Sequence, residues 1–173
     1  MLILIVCVVV AAALIVAALL LTGVLGGGAG PLPRLVSLTV GRDVAEADIT
    51  EFYYTIDSST DPPEFQRYRL SAEDGKHYFY HETREGDHWP LTEADITVSG
   101  TKELSEEEWA AFYACLNGGS VKARSESADS GGRGPWLYLY WKGDRSKYQE
   151  FSFADRGREA SFEELCRAAR DAQ

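Results

Sequence analysis

Charge is absent from the start of this chain. No Asp, Glu, Lys or Arg precedes Arg34, no proline precedes Pro31, and no aromatic residue precedes Phe52. Such a run cannot be a solvated polar leader. At 1.5 Å rise per residue, residues 1–25 (MLILIVCVVVAAALIVAALLLTGVL) make a helix of roughly 37 Å, long enough for a hydrocarbon core of about 30 Å. The basic n-region of a secretory leader is missing as well, and the apolar stretch exceeds the about 7–15 residues usual in such leaders. Residues 1–25 are therefore expected to be a transmembrane helix retained in the lipid bilayer. The alternative is cleavage after Ala29, because Gly27 and Ala29 are small residues that a signal peptidase accepts.

Basic clusters are also missing. The chain carries 17 Lys and Arg against 27 Asp and Glu, a formal charge of −10, all of it from Arg34 onward. Phosphate backbones are bound by clustered cations, so nucleic acid is not an expected partner. Docking flat on an anionic leaflet is disfavoured for the same reason. The side of the membrane is set by two opposing cues. Arg34 and Arg42 follow the apolar run and, by the positive-inside rule, hold the domain in the cytoplasm. Asp43 and Glu46 offset them, and small domains behind an N-terminal hydrophobic segment are commonly exported. The expectation is a single-pass protein of the cell membrane with its domain outside the cytoplasm.

Residues 26–33 (GGGAGPLP) read as a Gly/Pro linker, and residues 34–173 as one globular domain that holds all 4 Trp, 9 Tyr and 7 Phe. Its strand signals fall at 34–40, 49–57, 65–71, 76–84, 96–99, 121–124 (a short edge strand), 135–141 and 148–153. Asp74-Gly75 is a hairpin turn signal. A helix opens at the capping box Ser105–Glu108 and buries Trp109, Phe112, Tyr113 and Leu116, with Asn117-Gly118-Gly119 as its stop. A second box, Ser161–Glu164, is expected to open a last helix that buries Phe162, Leu165, Cys166 and Ala169. The fold class is α+β: an N-terminal transmembrane helix, then a twisted antiparallel sheet with two helices packed on one face.

Catalytic motifs are the last absence. There is no G-x-S-x-G, no H-E-x-x-H and no phosphate-cradling glycine loop. The three histidines, His77, His81 and His88, lie close in sequence. On a strand His77 and His81 share a face about 13 Å apart, too far to hold one metal directly, and they are expected on the sheet surface. No catalytic, cofactor-binding or metal-binding residue is assigned, and no cofactor is expected. Of the three cysteines, Cys7 sits in the apolar run, while Cys115 and Cys166 lie on two helices, either bridged as a disulfide or as buried thiols.

What remains is an aromatic strand. Trp136, Tyr138 and Tyr140 alternate with Leu137, Leu139 and Trp141. With the leucine side in the core, the other three form a binding platform for a protein, peptide or glycan. A strand covered on both sides gives the same pattern. The stretch GPWLYLYWKGDRSKYQEFSFA, with the helices around it, resembles small membrane-tethered bacterial domains of uncharacterised function. That resemblance implies a bacterial envelope setting and no site residue. The expected function is a non-enzymatic extracytoplasmic binding or interaction domain. The alternatives are a hydrolase using a His/carboxylate site and a cytoplasm-facing accessory subunit of a membrane complex. Gly23 and Gly27 form a GxxxG, but small residues are ordinary in apolar helices, so the oligomeric state is left open.

Overall fold

The computed structural model describes residues 37–123, 134–143 and 149–173. The chain divides into two units, Met1–Arg34 and Leu35–Gln173, and all described residues belong to the second. The expected membrane helix, 1–25, and the linker, 26–33, lie outside the described residues. Among the described residues no helix is long and apolar enough to cross a membrane.

The elements run β1 (Ser37–Thr39), β2 (Ile49–Ser58), β3 (Glu64–Glu73), β4 (Lys76–Arg84), β5 (Ile96–Leu104), α1 (Glu106–Leu116), β6 (Ser120–Ala123), β7 (Gly134–Trp141), β8 (Gln149–Ser152) and α2 (Arg156–Asp171). The eight strands form one antiparallel sheet in the order β1-β6-β8-β7-β2-β3-β4-β5. This is the α+β class anticipated, a twisted antiparallel sheet with two helices. Strands β2 to β5 follow each other as a meander, each paired with the next. The β3–β4 turn is made by Asp74 (φ 51°) and Gly75 (φ 76°), two left-handed residues of the kind an Asp-Gly hairpin supplies.

Both helices meet the same side of the sheet. Phe162 of α2 packs edge-on against Phe52 of β2 (5.2 Å) and against Phe112 of α1 (5.6 Å). Phe112 in turn stacks on Phe79 of β4 at 5.9 Å. Phe52, Phe79, Phe112, Leu116, Leu139 and Phe162 are fully or almost fully buried, so the core is a ring cluster with aliphatic filling. Each helix is also tied down by polar bonds. The Tyr54 hydroxyl donates to Glu163 of α2 at 2.5 Å, and the Trp109 indole of α1 donates to Glu46 at 2.7 Å. Arg158 of α2 donates to the carbonyls of Ala114 and Asn117, which satisfies the C-terminal end of α1.

Three expectations need correction. Helix α2 begins at Arg156, not at the Ser161 box, because the Asp155 carboxylate accepts from Arg158 N at 2.9 Å and caps the helix earlier. Strand β6 is not an edge strand: it lies between β1 and β8. Strand β5 continues to Leu104, because Gly100 to Leu104 pair with His81 to His77, a stretch without the apolar alternation that marks a strand in sequence.

Candidate functional site: the helix-free side of the sheet

Strand alternation fixes what faces away from the helices. On β2, Phe52 and Tyr54 enter the core, so Glu51, Tyr53, Thr55 and Asp57 project to the opposite side. The register carries that side across the sheet in three rows. Asp57 pairs with Phe65, and Phe65 with Arg84. Thr55 pairs with Arg67, and Arg67 with Glu82. Tyr53 pairs with Arg69, and Arg69 with Tyr80. Arginine, aromatic ring and carboxylate therefore alternate over β2, β3 and β4 on a side where no described helix packs.

The rows are knit by stacking. The Phe65 ring lies under two guanidinium groups, Arg84 at 4.1 Å and Arg67 at 5.0 Å. Arg69 covers Tyr80 at 5.2 Å, and Tyr53 meets Tyr140 of β7 edge-on at 5.4 Å. Each guanidinium–ring contact is worth about 0.5–1 kcal/mol when exposed and about 2 when desolvated. Phe65 and Arg84 are buried while Tyr53, Arg67, Arg69 and Tyr80 are half-buried, so the layer is apolar and hydrogen-bonding at once.

Glu82 is the electrostatic centre, with 4% of its surface exposed. Arg84 donates to it through Nε (3.0 Å) and Nη2 (2.6 Å), and the Tyr80 hydroxyl donates at 2.6 Å. Arg67 Nη1 lies 3.6 Å away, and Arg84 Nη1 donates to the Leu91 carbonyl at 3.2 Å. Burial, then the bond to Glu82, holds the Tyr80 hydroxyl above its ordinary pKa. A carboxylate so fully engaged is a structural counterion rather than a free base. Two groups on this side are less well served. Asp57 Oδ1 and Arg69 Nε are buried without a hydrogen-bond partner. Burial raises the Asp57 pKa, against the attraction of Arg67 and Arg84.

Tyr140 of the predicted platform falls on this same side. Strand β7 lies between β8 and β2, and its register sets Trp136 opposite Thr55, Tyr138 opposite Tyr53 and Tyr140 opposite Glu51. The side chains of Trp136 and Tyr138 lie outside the described residues; Tyr140 is half-buried against Tyr53. Leu139 is fully buried and Leu137 and Trp141 pack against the core, as the alternation predicts.

The histidines do not form a site. His77 stacks face to face on Trp109 at 4.0 Å, and His88 is half exposed, 3.5 Å from Asp95. His81 was expected on the sheet surface; it is 4% exposed, because β4 turns its odd-numbered residues from His77 to His81 toward the helices. Neither the cleft of about 540 Å³ lined by Ile56, Pro62, Pro63, Gln66 and Thr83 nor the groove of about 310 Å³ between α1 and α2 is lined by a histidine. No group of three metal-ligating side chains occurs among the described residues. Cys115 and Cys166 are both buried free thiols. Burial raises the pKa of each, and for Cys166 the nearby Glu163 adds to it.

Sequence reasoning missed Arg67, Arg69, Glu82 and Arg84. Their signal was present as the period-two spacing in Arg67-Tyr68-Arg69-Leu70, with arginines on one side and core residues on the other, and in Glu82-Thr83-Arg84. No protein-family model matches this chain, nor does any curated protein or solved structure.

Proposed function

We propose that this chain is a single-pass membrane protein whose domain binds a protein, peptide or glycan outside the cytoplasm without transforming it. The observation that carries the reading is the alternation of arginine and aromatic residues over the helix-free side of the sheet. Surfaces of this composition contribute rigid contact area with little loss of side-chain freedom, and Arg, Tyr and Trp dominate binding hot spots. The membrane assignment rests on the charge-free run of residues 1–25.

Detergent-solubilised full chain is applied to peptide and glycan arrays, then compared with the triple variant Trp136→Ala, Tyr138→Ala, Tyr140→Ala. Binding weakened by about 2 kcal/mol or more, with cooperative unfolding retained, is the expected result. Unchanged binding sinks the platform. Reporter fusions after Gln173 test the side of the membrane. Activity confined to the cytoplasm would favour the accessory-subunit alternative instead.

A further inference from the structure

The sheet ends on two strands of unequal length. At one end β1 has three residues; at the other β5 has nine, and no described strand lies beyond it. A terminal strand presents a row of unpaired backbone N–H and C=O groups, and proteins blunt such rows with short strands, prolines, charges or bulges. Strand β1 has three described residues. Strand β5 has no proline, and its bulge is confined to its start, where the register shifts opposite Thr83/Arg84. From Val98 to Leu104 the pairing with β4 is regular, a stretch of about 23 Å at the usual strand rise.

The only charges on β5 are drawn away from guard duty. Lys102 Nζ is held 2.6 Å from Glu108 of α1, and Glu103 is held 2.9 Å from Lys76 of β4. Thr97, Val98, Ser99 and Thr101 remain exposed, and Val98 keeps 52% of its surface in solvent. Half of the strand is therefore a neutral, β-branched, open edge.

The ends of β5 select the occupant. Glu93 and Asp95 immediately precede the strand, and Glu106 and Glu107 immediately follow it; Glu93, Glu106 and Glu107 are exposed. A second copy of the chain is a poor fit in either direction. Antiparallel pairing would bring Glu93 and Asp95 against the partner's acidic first helical turn, and parallel pairing would bring like ends together. We propose that the outer edge of β5 accepts an extended segment of another protein by strand addition. That segment is neutral and β-branched at its centre and carries Lys or Arg at both ends. Main-chain bonds supply the affinity, Val98 offers an apolar neighbour, and the acidic ends fix the placement. This edge is separate from the aromatic platform and stands without it.

The probe is a synthetic peptide, Lys-Lys-Thr-Val-Thr-Val-Thr-Lys-Lys, titrated into the full chain in detergent micelles while amide hydrogen exchange is followed. Binding with new protection confined to β5 is expected. Proline at the central threonine should abolish it, and glutamate in place of the flanking lysines should weaken it about tenfold or more. On the protein side Val98→Lys, a solvent-exposed change, should weaken binding to a similar extent while leaving the unfolding midpoint unchanged. Equal binding of the proline peptide, protection outside β5, or no binding at about 1 mM peptide each overturns the proposal. Self-association of the chain through β5 that keeps the peptide out also overturns it, in favour of a second copy as occupant.

Discussion

Glu82 and Arg84 show what a buried charge is for. Their side chains are 5% and 7% exposed, so removing one partner strands the other out of water. Glu82→Ala should cost about 3–5 kcal/mol in urea unfolding. Replacing both, Glu82→Leu with Arg84→Met, should recover most of that loss, because the desolvation of two ions disappears together. A single-variant loss under about 1 kcal/mol would mean the pair is wetter than its geometry implies. His81 gives a second residue-level prediction. It packs against Phe79 at 6.2 Å, lies across from Gly100, and faces Arg170, Asp171 and Gln173 of the C-terminal segment. Burial, then the positive charge of Arg170, lowers its pKa. The unfolded chain therefore takes up the proton first as pH falls below about 6.5, and stability declines from there toward the folded pKa. The urea midpoint should drop between pH 7.5 and 5.5, and His81→Leu should flatten that drop. The carboxylates held below their usual range, such as Glu108 bonded to Lys102, titrate at lower pH and do not confuse the comparison.

At the scale of elements, caps decide where the helices start. Ser105 accepts from Glu108 N at 3.2 Å, while Glu108 accepts from Ser105 N at 2.8 Å, the reciprocal box that the sequence announces. Ser105→Ala should cost about 1 kcal/mol. Ser161 carries the same sequence signature yet sits inside α2, so Ser161→Ala should change stability by less than about 0.5 kcal/mol. Asp155→Ala should behave like Ser105→Ala, since Asp155 is the true cap. Thermal unfolding of the three variants separates the two assignments. A box motif was therefore legible as chemistry at both positions but as a boundary at only one. The reason is competition: Asp155 lies three residues past the end of β8, and its carboxylate reaches a free N–H before Ser161 is needed. Gly119 shows a different illegible constraint. A Cβ there would run into the Phe151 ring and the Leu116 carbonyl, so α1 can return to β6 only through a residue without a side chain. In sequence it reads merely as part of a helix stop.

Across the whole molecule, what was legible followed from local periodicity, and what was not followed from non-local pairing. The alternation of Phe52, Tyr54 and Ile56, the stripe through Trp109 and Phe112, and the Asp74-Gly75 turn each declare themselves within a few residues. The strand order does not: β2 takes β7 as its second neighbour over a separation that no periodicity encodes. The arginine–aromatic rows exist only once β2, β3 and β4 are in register, and Tyr140 of β7 joins them through the longer-range pairing with β2, so the period-two signal of single strands did not show which residues would meet. The same long-range packing governs the cysteines. Cys166 is fully buried and its thiol pKa is raised by burial, so the reactive thiolate forms only when the sheet and both helices come apart. Iodoacetamide labelling of the full chain, read by peptide mass spectrometry, should leave Cys166 unmodified in native buffer and modify it across the urea transition. Cys115, at 7% exposure, should react sooner. Rapid native labelling of Cys166 would show that α2 detaches without global unfolding. If both cysteines stay unmodified in urea until a reductant is added, the thiols are bridged in the mature protein, and the domain faces an oxidising compartment.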